Sequence, residues 1–200
     1  MGEVLPYRPP RAREETTAFL GMVVFLGSWA MMFAALFFAY GFVRTRSVAW
    51  PPPDLPGLPW ETPAINTLVL AASSAAIQYG LRVIRQGASP KLGRALLLTV
   101  LLGAVFLALQ VSVWTRLYVE GLRPETGGAY GSVFWGLTCF HALHVLVGLI
   151  GVGLLTRRAF AGAFSAAKYL PVRLWALYWH FVGAVWALMF VLVFLLYEES

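Results

Sequence analysis

The sequence predicts an all-α membrane protein with five transmembrane helices, and three observations predict it. Of 200 residues, 60% are hydrophobic and only 12% are charged, too small a charged surface for a soluble domain of this size. Five apolar runs without Asp, Glu, Lys or Arg occupy approximately residues 18–43, 64–81, 95–115, 132–156 and 174–197. The stretches between them carry the prolines, many glycines and the basic residues, the composition of interfacial turns. The net charge of +6 does not point to nucleic acid, because the basic residues sit between apolar runs, where they set orientation. A single cysteine, Cys139, excludes an internal disulfide.

Residues 1–17 are polar, with Arg8, Arg11 and Arg13 beside Glu3, Glu14 and Glu15. They read as a short cytoplasmic tail preceding one five-helix domain over 18–200. The first apolar run is too long for a signal-peptide core and lacks a clear small-x-small cleavage site. It, the third, the fourth and the fifth are each long enough to cross about 30 Å of hydrocarbon. The second is shorter and carries Asn66, Ser73, Ser74 and Gln78, so it requires a bundle neighbour to accept its polar face.

The links agree with this reading. Trp50 to Pro63 holds six prolines and one glycine and forms neither helix nor central strand. Arg82 to Arg94 and Glu120 to Gly131 carry Gly and Pro where one helix stops and the next begins. Thr156 to Arg173 is partly amphipathic and basic, and is expected to lie along the headgroups. Counting Lys and Arg on alternate sides gives eleven for the N-terminal tail, second link and fourth link. The first link, third link and C-terminal tail together have four. This bias places the N-terminus in the cytoplasm and the C-terminus outside.

The fourth run is the most informative. Tyr130 to Gly153 contains two of the three histidines, His141 and His144. They share one helical stripe with Gly148 and Gly151. Pumps and ion-coupled carriers place carboxylates or paired charges at membrane depth, and none of the runs holds one. His141 and His144, joined by His180, offer a conceivable metal or haem site. Three lone histidines are nevertheless a thin ligand set, and hydrogen bonding to carbonyls, serines or lipid phosphates is the favoured role. Ser28, Ser112 and Ser132 occur without a G-x-S-x-G elbow, which argues against a serine hydrolase. Trp179 and Trp186, seven apart, form a packing stripe or interface belt. His180, Gly183, Ala184 and Ala187 make a second small-residue face, and the fourth and fifth helices are expected to pack through these faces.

These segments resemble a known family. FWGLTCFHALHVLVGLIGV (Phe134 to Val152) is similar to the F-x-x-x-T-G-F-H-G-L-H-V signature of subunit III of haem-copper terminal oxidases. YWHFVGAVWALMFVLVFLLY (Tyr178 to Tyr197) resembles its Y-W-H-F-V-D-x-V-W segment, and FLGSWAMMFAALFFAY (Phe25 to Tyr40) its F-L-x-S-E-x-M-F-F-x-x-L-F-x-A-Y segment. The similarity runs from about Phe19 to the C-terminus, and five helices match the short bacterial form. The resemblance implies a subunit without haem or copper of its own, in a proton-translocating cytochrome c oxidase of the bacterial inner membrane. Subunits I and II would be its partners and would carry the haem and copper; structural phospholipids would fill a cleft between helices 1–2 and helices 3–5. It also implies that the subunit stabilises subunit I, and that His141, His144, Trp179 and His180 lie near helix packing or lipid contacts.

The chain departs from the family at three acids. Trp29 stands where Glu is common, Gly183 where Asp is, and Val113 where Glu is frequent. Proton buffering by a buried acid is therefore not expected here. The loss of these acids keeps open an accessory subunit of a nitric-oxide-reductase-type complex of the same family; a free-standing haem- or copper-binding membrane protein is the other alternative. Dicyclohexylcarbodiimide is expected not to label the chain within its helices. Specific intramembrane labelling refutes that expectation.

Overall fold

A computed structural model describes residues 10–196. They form α1 (Pro10–Arg46), α2 (Glu61–Arg85), α3 (Ser89–Val119), α4 (Gly128–Phe160) and α5 (Leu170–Met189), the last continued by a π-helical segment, Phe190–Leu195. All five helices are long and apolar enough to cross a membrane. Each of the first four apolar runs lies inside one helix, the fifth is helical through α5 and its π continuation as far as Leu195, and the helices extend beyond the runs into polar residues. α1 begins at Pro10, inside the stretch expected to be tail. Pro is tolerated in a first turn, where its missing N–H would have no partner. Exposed Arg13, Glu14 and Glu15 then carry the helix past the apolar run. Residues 1–9 of that tail lie outside the described residues.

Two helices end in the same way. After α2, Gly87 takes φ +80° while Ala88 N–H donates to Val83 O at 2.9 Å. After α4, Gly162 takes φ +72° and Ala163 N–H donates to Arg158 O at 3.0 Å. A left-handed glycine is what such a C-terminal cap requires. Because α4 runs on to Phe160 and α5 starts at Leu170, Thr156 to Arg173 is a helix end, a tight turn and a helix start. No separate amphipathic helix lies there.

α2, α3, α4 and α5 pack around a shared core, and α1 lies outside them against α4 and α5. The expected division into helices 1–2 and helices 3–5 is not the observed one: α2 packs on α3 and α5, away from α1. The reason lies in the proline-rich link. It is anchored over the start of α4, where Trp50 and Leu58 are buried. Trp50 meets the Tyr130 ring edge-on at 4.7 Å, and Tyr130 Oη donates to Pro56 O at 3.2 Å. This route carries the chain around the bundle before α2 begins. Arg44, near the end of α1, donates to the Leu196 carbonyl and so ties α1 to the end of the last helix.

One side chain fills the centre. Trp179 of α5 is wholly buried. A Cβ added at Gly103 of α3 would lie 2.8 Å from its ring, and one at Gly148 of α4 also 2.8 Å. Its Nε1 donates to Ser73 Oγ of α2 at 2.9 Å, and Ser73 Oγ donates to Thr99 O of α3 at 3.1 Å. Small residues let helix backbones approach closely where lipid supplies no hydrophobic drive. By contrast Gly183 faces α2, with Ser74 Oγ 3.3 Å from the added Cβ. The fourth and fifth helices do pack together, but through Gly148 and Gly151 against α5 aromatics, and not through Gly183.

Gly103→Ala is expected to lose about 1–3 kcal/mol of stability through overpacking against an enclosed indole. Gly153, with nothing within 4 Å of the added Cβ, should gain up to about 1 kcal/mol on replacement by Ala from helix propensity. Unfolding free energies in mixed micelles check both. Equal effects at the two glycines would contradict the packing described.

Candidate functional site

The histidine-bearing stripe of α4 lies against three other helices. His144 is 1% exposed. Its Nδ1 donates to Phe140 O one turn back, at 2.6 Å; the acceptor is a carbonyl, so this nitrogen carries the proton. On the α1 side its ring meets Trp29 edge-on at 3.8 Å and Phe33 at 5.1 Å. Its own carbonyl accepts the Tyr178 hydroxyl of α5 at 3.0 Å. His144 therefore fastens α1 and α5 to α4. Trp29 and Phe33 together make the α1 contact.

His141, one turn earlier, is also 1% exposed. Three rings surround it: Phe33 at 6.3 Å, Phe106 at 5.9 Å and Trp186 at 5.4 Å. Neither ring nitrogen has a hydrogen-bond partner. His180 belongs elsewhere. It faces α2, with Nε2 3.2 Å from Gln78 Oε1, and lines a groove of about 200 Å³ between α2 and α5 with Thr67, Ser74, Gly183 and Ala187. Trp179 sits in the bundle centre. The structure thus brings His141 and His144 onto one stripe and leaves His180 on a different interface.

The donor set does not fit a metal or haem of this chain's own. Among the described residues no three His, Cys, Asp or Glu side chains are grouped to hold a metal ion. His144 spends one nitrogen on its helix and is capped by Trp29, and His141 is walled by aromatic rings. The serines are equally unsuited to nucleophilic chemistry. Ser28, Ser112 and Ser132 each donate to a carbonyl of their own helix, at 2.7, 2.6 and 2.7 Å.

Sequence reasoning missed the depth of two amides. Asn66 of α2 is 0% exposed and Gln110 of α3 is 1% exposed, and neither amide has a partner for its oxygen or its nitrogen. The available signal was their position, each in register with the buried stripe of its helix. The polar face expected on the second run is present: Ser73 and Gln78 meet Trp179 and His180 of α5.

A family model described as cytochrome c oxidase subunit III matches residues 14–197. A cytochrome c oxidase subunit 3 from Thermostichus vulcanus is 35% identical over 178 residues, covering 88% of this chain and 86% of the relative. One from Synechocystis sp. is 36% identical over 177 residues, covering 88% and 74%. The Rattus norvegicus protein of the same name is 34% identical over 180 residues, covering 87% and 67%.

Truncation separates the two α5 side chains. Trp179→Ala should cost about 3–5 kcal/mol, as for a large aromatic removed from a core. His180→Leu, which loses one intramembrane polar contact, should cost about 0.6 kcal/mol. Paired unfolding measurements check this; a larger loss at His180 would show that the groove, not the core, holds α5.

Proposed function

Because this chain belongs to the cytochrome c oxidase subunit III family, we propose that it serves its oxidase as a structural subunit: it packs on the catalytic subunit I, stabilises it and binds structural phospholipid. Its place as a subunit III of a haem-copper oxidase rests on the family match along residues 14–197, the observation that carries this reading. It is a multi-pass membrane protein, and its complex contains other oxidase subunits.

The interior suits a scaffold. Its polar groups are histidines, amides and hydroxyls set between helices, with no carboxylate in the span interiors among the described residues. Such groups fix helix position; without a carboxylate they offer poor material for a proton relay. The outward faces are apolar, with Val24, Met31 and Phe38 each more than 70% exposed along α1. Their spacing of seven sets them opposite the buried stripe of Leu26, Phe33 and Tyr40. An outer surface of this kind suits acyl chains and the flank of a larger membrane subunit. His141, His144 and Trp179 would act in helix packing, while His180 would border lipid in the α2–α5 groove.

We place haem and copper in the partner subunits I and II. The membrane is the bacterial inner membrane, with residues 1–17 cytoplasmic and the C-terminus outside. The Lys and Arg bias toward the N-terminal side supports that orientation. Relatives named for cytochrome c oxidase favour oxygen over nitric oxide as the complex's substrate.

A tagged copy of the chain is expected to co-purify with a haem-copper catalytic subunit in a complex that consumes oxygen. The chain separated from that complex should show no Soret band. Co-purification with no haem protein, or a complex that reduces nitric oxide but not oxygen, would overturn the reading.

A further inference from the structure

Three unpartnered polar side chains occupy one level of the bundle. α2 and α3 are antiparallel. The Cβ position of Gly80 lies 3.1 Å from Ala95 Cβ, and seven residues earlier on α2 Ser73 reaches Thr99 O. A further seven residues along α2 brings Asn66 to the turn Phe106–Gln110 of α3. α3 and α4 are antiparallel too. The Cβ position of Gly103 meets Leu149 at 2.7 Å, and Trp114 Nε1 donates to Thr138 Oγ1 at 3.0 Å. Between those points, Gln110 falls opposite the turn of His141 and Ala142. Trp186 closes the level from α5, with its ring 5.4 Å from His141 and 4.7 Å from Phe106, and its Nε1 donating to Thr67 Oγ1 at 3.0 Å.

Asn66, Gln110 and His141 are each at least 99% buried, and all six of their polar side-chain atoms lack a partner. Membrane interiors do not tolerate such groups unsatisfied. Between them they offer donors and acceptors of both kinds, the set that small clusters of water use. A crevice of about 630 Å³ opens between the proline-rich link, α2, α3 and the π-helical segment, lined by Pro59, Glu61, Arg116 and Phe194 among others. Glu61 precedes Asn66 by about 7.5 Å along α2, and Arg116 follows Gln110 by about 9 Å along α3, at 1.5 Å per residue. Charged residues thus mark its mouth, and the amides lie inward from it on the same two helices.

We propose that Asn66, Gln110 and His141 line a water-binding chamber inside the membrane-embedded bundle, filled through the crevice beside Glu61 and Arg116. The chamber satisfies the amides and holds α2, α3 and α4 at a common register. The test is radiolytic hydroxyl-radical footprinting of the assembled complex in ¹⁸O-labelled water, read by mass spectrometry. Radicals form from bound water and oxidise adjacent side chains. Trp186 should be oxidised roughly tenfold faster than Trp179, an equally buried indole with its Nε1 likewise hydrogen-bonded but packed over glycines away from the amides, as expected of a ring beside ordered water. Gln110→Leu or Asn66→Leu should bring Trp186 down toward the Trp179 rate. If Trp186 in the unaltered complex is labelled no faster than Trp179, the amides pair directly in a dry core and the chamber does not exist. That comparison decides the matter even where a variant fails to assemble.

Discussion

The indole of Trp179 is the contact on which the bundle depends. It belongs to α5, lies over glycines of α3 and α4, and donates to a serine of α2. Four helices therefore meet at one ring. In lipid, helices gain little from apolar burial alone, so close fit and interhelical hydrogen bonds supply the association energy. A large flat side chain lying over two glycines provides both. The Ser73 hydroxyl extends the tie by donating onward to Thr99 O.

A second set of contacts attaches α1, the least buried of the five spans. Its inward stripe of Leu26, Phe33 and Tyr40 meets α4 around His144, where Trp29 and Phe33 enclose the imidazole. Trp29 brings a ring that packs on the imidazole and no charge to the membrane interior. The histidine pair thus works as a joint between helices.

Much of the fold was legible in the sequence. An uncharged apolar run of this length has few stable alternatives to a spanning helix, and each of the five runs gave one. The need of the second run for a polar neighbour was also legible, because Ser73 and Gln78 cannot face acyl chains without cost. Helix neighbours were not. A link of some fourteen residues reaches roughly 3.3 Å per residue when extended, enough to carry α2 around the bundle, and nothing in its composition says where it goes. The match of Gly183 with helix four failed for a related reason: a small-residue stripe shows that something approaches closely, but not which helix. His141 and His144 were correctly placed on one stripe by their spacing, whereas the orphaned state of Asn66 and Gln110 depends on the register of three helices, which one sequence does not state.

The bundle depends on the space that Gly148 leaves for the Trp179 ring, and a size exchange tests this most directly. Gly148→Ala alone should destabilise the bundle by about 1–3 kcal/mol. Combining it with Trp179→Phe, which shortens the ring, should cost less than the sum of the two single changes, because the added methyl then enters vacated space. If the two losses simply add in unfolding measurements on the membrane-embedded chain, the indole does not sit over Gly148, and the four-helix tie described here is wrong.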